Sequence, residues 1–346
     1  MQRISSTPRP GWPDIIREQA ANYAGADVPQ ALARWDESAC YTLSLAEVRG
    51  LEAATEELHE LCLAAARHVV ANSRYAEFGV PDWAAGAVRR SLASDAPSLF
   101  GCVDLWYDGA SPPKLLEYHA DTAPALVETA ICQWYWLEQT RPDQDQWNQL
   151  HERLVTAWHA MATRLGEKSV HCGWSEAEPT GADRVAAGYF AETARQAGLS
   201  VRVLPMGAIG WDGSRFVDER EEPILTCFKW YPWAAMVREP YGPLALSETS
   251  GVTWLEPAWK LLLASPALHA VLWELNPGHP NLLPATPDAP REVPPLPVFD
   301  GRPVAASSWL VADGTGRARA AGVGFRESAG RSIAAYARFV PHVVTP

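Results

Sequence analysis

No stretch of this chain approaches 18 uncharged apolar residues, so the sequence contains no membrane-spanning helix and no membrane partner is expected. The opening, MQRISSTPRPGWPD, lacks the apolar core of a secretory signal. Positive charge is scarce: 29 Lys and Arg stand against 41 Asp and Glu, a formal net charge of −12. That argues against a broad phosphate-tracking surface and against nucleic acid as a partner. The six cysteines, Cys40, Cys62, Cys102, Cys132, Cys172 and Cys227, form no CxxC pair. Neither a zinc knuckle nor a disulfide framework is expected, and a reduced, cytoplasmic setting is. There is no GxSxG, no GxxxxGK[ST], no GxGxxG and no repeat of fixed period.

What is present is a globular composition. The 346 residues are 47% hydrophobic and 20% charged, enough to bury one large core or two interlocked ones. The 16 tryptophans are unusual; each brings apolar area and one N–H donor, useful in cores and clefts alike. Residues 44–72 carry the clearest helical signal. Ser44 and Glu47 form a capping box, and Leu51, Ala54, Leu58, Leu61 and Leu63 line an apolar face. Residues 97–119 read as a β-hairpin around Asp108-Gly109. Helices are predicted from Thr122 to Leu137 and over 145–166. A strand at Ser169–Cys172, a helix at Ala182–Ala197 and a strand from Ser200 give a βαβ rhythm. Beyond it come a hairpin at Ile209–Phe216, a strand at Ile224–Trp230 and a helix at Glu256–Leu275. The stretch 277–303 carries nine prolines and excludes regular structure. Two strands, Ala305–Ala312 and Arg317–Phe325, are expected to close the chain.

Four constellations offer chemistry. On the predicted hairpin Glu117 and His119 share one strand face, Asp104 lies on the neighbouring strand, and Asp121 follows. Two carboxylates and one imidazole on one face form a divalent-cation arrangement, and equally a solvated sheet end with ordinary ion pairs. Gly314, Gly316, Gly322 and Gly324 fit a hairpin turn better than a phosphate cradle, which needs a helix N-terminus. No Ser/His/Asp triad is supported. Cys102, mid-strand and without a basic neighbour, reads as a buried thiol rather than a nucleophile.

A run of collinear motifs resembles the glutathionylspermidine synthase family of preATP-grasp/ATP-grasp amide ligases nearly end to end. They include Arg9-Pro-Gly-Trp12, Trp35-Asp-Glu-Ser38, Lys114-Leu-Leu-Glu-Tyr-His-Ala-Asp-Thr122, Gln133-Trp134, Phe228-Lys-Trp-Tyr-Pro-Trp233, Leu255-Glu-Pro-Ala-Trp-Lys260, Ala321-Gly-Val-Gly-Phe-Arg326 and Arg338-Phe-Val-Pro-His342. The resemblance implies an α+β, ATP-grasp-type fold. Its parts would be a mostly helical N-terminal part (1–95), a preATP-grasp-like part with the hairpin (96–230) and a truncated ATP-grasp-like remainder (231–346), interlocked as one unit. It implies that Asp104, Glu117 and His119 occupy the family's magnesium positions. Asp121 and Thr122 then match substrate-binding positions, and Arg326 lies in the same site.

The departures from the family are as informative. Cys102 stands where the resemblance implies an arginine serving the transferring phosphoryl group, Pro266 where it implies a phosphate-binding lysine, and Ala234 where it implies a glutamate near the amine substrate. A short Pro-rich bridge after Pro284 replaces the lid over the nucleotide. Phosphoryl transfer depends on positive charge around the triphosphate, so ATP is doubtful as a cofactor. His119 in place of asparagine shifts the donor set from magnesium towards a transition metal. The expectation is a protein that has lost ATP-driven ligation and acts on or binds an amino-acid-like, peptide-like or amine small molecule. His119, Glu117 and Arg326 would be its catalytic groups, Asp121, Thr122 and Arg326 its substrate contacts, and Asp104, Glu117 and His119 its metal ligands. A working ATP- and Mg-dependent carboxylate–amine ligase and a non-catalytic protein partner are the alternatives.

Overall fold

The computed structural model describes residues 1–28, 30–166, 168–287, 291–328, 330 and 338–345. Its first third runs β1 (Gln2–Ser5), α1 (Trp12–Ala24), β2 (Ala39–Ser44), α2 (Leu45–Ala71), α3 (Asp82–Ala93), β3 (Phe100–Trp106) and β4 (Lys114–His119). A π-helical turn (Glu128–Cys132) leads into α4 (Gln133–Thr140), then α5 (Leu150–Leu165), β5 (Ser169–Trp174), α6 (Ala182–Gln196), β6 (Ser200–Pro205), β7 (Gly210–Trp211), β8 (Phe216–Val217) and β9 (Thr226–Trp230). The remainder is α7 (Trp233–Met236), α8 (Gly242–Ala245), β10 (Thr253–Leu255), α9 (Lys260–Leu263), α10 (Leu268–Leu275), β11 (Val298–Phe299), β12 (Arg302–Ala312), β13 (Ala318–Glu327), β14 (Arg338–Val340) and β15 (His342–Thr345).

The fold is α+β. An antiparallel sheet in the order β14-β13-β12-β3-β4, with β11 on β12, stands beside a parallel sheet in the order β10-β9-β5-β6. The third sheet, β1-β2-β15, ties the start of the chain to its end. Strands β3, β12 and β13 are buried along most of their length, as a sheet covered on both faces must be. Val103, Leu105, Leu310 and Val323 pack with Leu51, Leu58 and Cys62 of α2. Phe100, Cys102, Trp309 and Val311 pack on the other side with Leu154 and Trp158 of α5. Gly188 lets α6 press on α1, because a Cβ there would lie 2.1 Å from the Tyr23 carbonyl oxygen. Among the described residues no helix is long and apolar enough to cross a membrane.

Most predicted elements appear where expected, and the exceptions have local causes. The Ser44–Glu47 capping box forms as predicted and opens α2. The helix predicted from Thr122 starts later, because Pro124 and Ala125 (φ 61°) hold the chain out of helical geometry. Residues 145–149 bridge to Val344 and Gly322 instead of joining α5. The single helix predicted at Glu256–Leu275 is two short ones, split at Ser265-Pro266 by the missing amide hydrogen of proline. Two further strands, β14 and β15, follow those expected to close the chain. Between Leu275 and Arg302 the described residues hold one two-residue strand and no lid subdomain; residues 288–290 of the Pro-rich stretch lie outside the described ones.

His342 locks this closure. Its Nε2 accepts the Trp147 amide at 3.2 Å, so Nδ1 carries the proton and donates to Gln133 Oε1 at 3.0 Å. The imidazole is therefore neutral, and burial pushes its pKa down to about 3. The unfolded chain binds that proton near pH 6.5, so stability is complete above pH 6.5 and falls as pH drops towards 3. His59, lowered to about 3 by burial and by Lys260 and Arg67, adds to the same trend. The Tm is expected to fall below pH 6.5 more steeply for the wild type than for His342→Gln. Parallel pH profiles of the two proteins would contradict a neutral, buried His342.

Candidate functional site

The hairpin places the predicted residues side by side. Asp104 pairs across the ladder with Glu117, and Cys102 with His119. Residues two apart on a strand share a face, so Asp104, Glu117 and His119 converge, with donor atoms within 4.8 Å of one another. The next strands complete the face: Ser307 of β12 lies opposite Asp104, and Arg326 of β13 opposite Ala305.

Asp104 is 1% exposed. Its Oδ1 accepts from Ser307 Oγ at 2.7 Å, and its Oδ2 accepts from His119 Nε2 at 2.9 Å and from Arg326 Nη2. Arg326 Nε donates to Ser307 Oγ at 2.9 Å, closing a ring of three side chains from three strands, to which His119 of a fourth strand is attached through Asp104. Burial alone would raise the Asp104 pKa, but the Arg326 and His119 charges hold it well below the usual carboxylate range. Burial alone would lower that of His119, but Asp104, with help from Glu117, carries it above the usual imidazole value. Ser307 was not singled out from the sequence. Its signal is a Ser-Ser pair inside an otherwise apolar strand; Ser308 on the opposite face accepts from Thr55 Oγ1 at 2.8 Å. Cys102 is fully buried, and burial raises its thiol pKa far up, with Asp104 adding. It is the inert thiol the sequence suggested.

The mixed nitrogen and oxygen donors of Asp104, Glu117 and His119 suit a transition metal in kind and in spacing. Magnesium, which prefers oxygen, fits them less well. Any such ion has to displace Arg326 and His119 from Asp104 Oδ2.

Two clefts flank the cluster. The first, about 420 Å³, is bordered by His119, Thr122, Arg34, Glu128, Asp183 and Trp230. Thr122 lies on the border of this cleft. Asp121 is buried and turns the other way, accepting the Trp233 amide at 2.6 Å and Lys229 Nζ at 3.3 Å. Beneath them Lys260 bonds the Ala120 carbonyl at 2.9 Å and pairs with Glu256 at 2.8 Å. Burial lowers the pKa of both lysines, against the pull of Asp121 and Glu256. Glu128, also missed from the sequence, opens the π-helical turn; such turns recur at functional sites. The second cleft, about 590 Å³, is bordered by Glu117, Pro266, His269 and Arg291. Arg291 is turned onto the edge strand: its Nη1 donates to the Leu115 carbonyl at 3.2 Å and Nη2 to that of Leu116. Of the aromatic runs, Trp136, Trp230 and Trp233 are buried and Trp134 is 43% exposed.

An antiparallel sheet carrying carboxylates on its β3-β4 edge hairpin, beside a four-stranded parallel sheet, places the chain in the glutathione-synthetase-like class of folds. Residues 3–294 match the family described as glutathionylspermidine synthase preATP-grasp, and the chain belongs to that family. A Haemophilus influenzae protein named "Putative acid--amine ligase" is 32% identical over 292 residues, covering 82% of this chain and 73% of that protein. Trypanothione synthetase of Crithidia fasciculata is 22% identical over 260 residues, 66% of this chain and 38% of its own length. Among solved structures, a glutathione synthetase-like effector from Globodera pallida in its apo form superposes with a TM-score of 0.55 at 9% identity. That match covers 96% of this chain and 98% of the effector, and it speaks for the fold alone.

Replacing Asp104 by asparagine leaves the Arg326 guanidinium buried without its counter-charge. Asp104→Asn is expected to cost about 3 kcal/mol in urea unfolding, and the apolar pair Asp104→Leu/Arg326→Met to recover most of that loss. A cost below about 1 kcal/mol for the single change would show that the ring does not hold the sheet together.

Proposed function

We propose that this chain is a lid-less relative of the acid–amine ligases that no longer couples ATP to amide formation. It binds an amino-acid-like, peptide-like or amine small molecule on the floor of the ancestral cleft. One observation carries this: four of the cations near the two clefts are engaged within the protein. Arg326 is held by Asp104 and Ser307, Arg291 by backbone carbonyls, and Lys229 and Lys260 by buried carboxylates. Cys102 and Pro266 add no charge where the family resemblance implies two cations. A triphosphate needs such charge to bind and to react. His119 and Glu117 are the groups able to exchange protons with a ligand, Thr122 borders it, Arg326 fixes the Asp104 carboxylate, and Asp121 supports the cleft through the Trp233 amide.

The ligase reading is favoured by the name of the Haemophilus influenzae relative, and one experiment separates the two. Magnesium-ATP is expected to leave the Tm unchanged and to yield no ADP in the presence of amino acids, dipeptides and amines. Members of that panel are expected to raise the Tm without ATP, because a ligand of the folded state stabilises it. Amine-dependent ADP release would overturn the proposal in favour of a ligase, and a panel without effect would remove the small-molecule site.

A metal reading rests on the three donors within 4.8 Å. On it Asp104, Glu117 and His119 hold a divalent or transition ion that would polarise a ligand oxygen. Protein loaded with zinc or manganese and then desalted is expected to retain metal that His119→Ala loses. Equal metal content in the two proteins would dismiss this site.

A further inference from the structure

A third pocket opens where β3 begins and β12 turns into β13, between α2, α3 and α5. It shares no bordering residue with the clefts beside His119 and Glu117. Its volume is about 160 Å³, and a cavity of roughly 150 Å³ is large enough for benzene. Leu63, Leu92, Leu99, Phe100, Met161 and Trp259 give it apolar walls. Its charged border is Arg67, Arg164 and Arg317 against a single acid, Asp95. On a chain of net charge −12 that is a local reversal of sign. Arg164 is partly engaged: Nη2 donates to the Asp95 carbonyl at 2.6 Å, and Nη1 lies 3.7 Å from Asp95 Oδ2. Among the described residues no hydrogen bond or ion pair engages the side chains of Arg67 and Arg317. Gly314, at φ 80°, lets the β12-β13 turn lean on α5, since a Cβ there would lie 3.0 Å from that of Ala160. That contact holds Arg317 at the rim.

Helix α2 gives the pocket two polar ends. His59, Leu63 and Arg67 follow at four-residue spacing and border it from one helix face. His59 is 7% exposed. Burial, with the Lys260 and Arg67 charges, lowers its pKa to about 3, so the ring is neutral and carries one proton. Nδ1 lies 2.8 Å from the Tyr118 hydroxyl, which has no other partner among the described residues. A proton on Nδ1 would leave both the buried phenol hydrogen and Nε2 unmatched. The Tyr118 hydroxyl therefore donates to Nδ1, and Nε2 holds an N–H that no described residue accepts. Nε2 is not sealed inside the protein, and the open space that His59 borders is this pocket.

We propose that this pocket binds a small carboxylate with an apolar, ring-sized body and an oxygen at its far end. The carboxylate meets Arg67 and Arg317 at the rim, the body lies along Leu63, and the far oxygen accepts from His59 Nε2–H. An arginine fork matches a carboxylate in shape and charge. A buried donor without a partner selects a ligand that brings an acceptor. This site goes beyond the proposed function, which concerns the other two clefts, and neither depends on the other.

The test uses 4-hydroxyphenylacetate, phenylacetate, 4-hydroxyphenylacetamide and inorganic phosphate with the full chain, followed by calorimetry or ligand-observed NMR. The wild type is expected to prefer 4-hydroxyphenylacetate over its amide by about tenfold or more, the scale of a charged hydrogen bond, and over phenylacetate by about fivefold, that of a neutral one. Arg67→Gln/Arg317→Gln changes two exposed side chains and is expected to abolish the first preference and keep the second. His59→Phe is expected to do the reverse, and a folded His59→Phe that still favours the hydroxyl overturns the role of His59. If that variant does not fold, the wild-type comparison with phenylacetate decides the far oxygen, equal binding of the two overturning it. Equal binding of acid and amide overturns the proposal, as does an acid preference that survives the double arginine change. Phosphate bound as tightly as the acid overturns the ligand class in favour of a bare anion site. No binding of any of the four overturns the site itself. Each of these results leaves the reading of the His119 cleft untouched.

Discussion

The molecule is organised around a buried negative charge that must not be left alone. Asp104 lies at the centre of the antiparallel sheet, and its carboxylate is answered by Arg326, His119 and Ser307. Ser307 and Arg326 lie 203 and 222 positions further along the chain. Satisfying one carboxylate therefore requires two hairpins, β3-β4 and β12-β13, to meet in a single register. A slip of one residue would turn the whole set of side chains to the other face. The same ring that fixes the sheet also fixes the chemistry it can display.

A second layer of buried charge extends that constraint to the cleft. Lys260 holds the carbonyls of Phe100 and Ala120, and Lys229 holds Asp121 and the Tyr231 carbonyl. Together they set the turn that leaves β4 after His119. From that turn the chain passes Ala125 and enters the π-helical segment, which leans on β13 at Gly324, where a Cβ would lie 2.7 Å from Thr129 Oγ1. The extra residue in a π turn re-aims the side chains beside it, and Glu128 is the one that ends at the cleft. A lysine beneath the floor and a glycine in the neighbouring strand thus decide where a carboxylate on a third element sits.

Much of this was legible in residues, and the rest was hidden for physical reasons. The alternation of Asp104, Glu117 and His119 about Asp108-Gly109 sufficed to place three side chains on one face, since strand period and hairpin pairing are local rules. The motif residues Gln133 and His342 pointed to ancestry, and the structure gives them work in the core: Gln133 bonds the Thr129 and Val323 carbonyls and accepts from His342. Ser307 and Glu128 could not be found this way. Their surroundings depend on tertiary contacts that no local pattern encodes. Asp121 was legible as a polar residue after the hairpin but not in its direction, which a buried lysine 108 positions later decides. The Glu256–Leu275 helix failed because apolar periodicity outweighed one proline in the reading, whereas the missing amide of Pro266 outweighed it in the fold.

On the proposed function, family membership and present activity separate. An ATP-dependent ligase must hold four phosphate charges and a metal in one place while water is kept out. That demands cations whose ends are free to face the ligand. In this chain the guanidinium of Arg326 is the partner of a carboxylate, Arg291 seals an edge strand, and the two buried lysines lie under the floor. With a net charge of −12 the long-range field also repels a nucleotide. The same balance favours a cation over an anion near the chain. On the proposed function, a pocket of ligase ancestry keeps room for a small molecule while the charge that would hold a triphosphate is spent inside the fold.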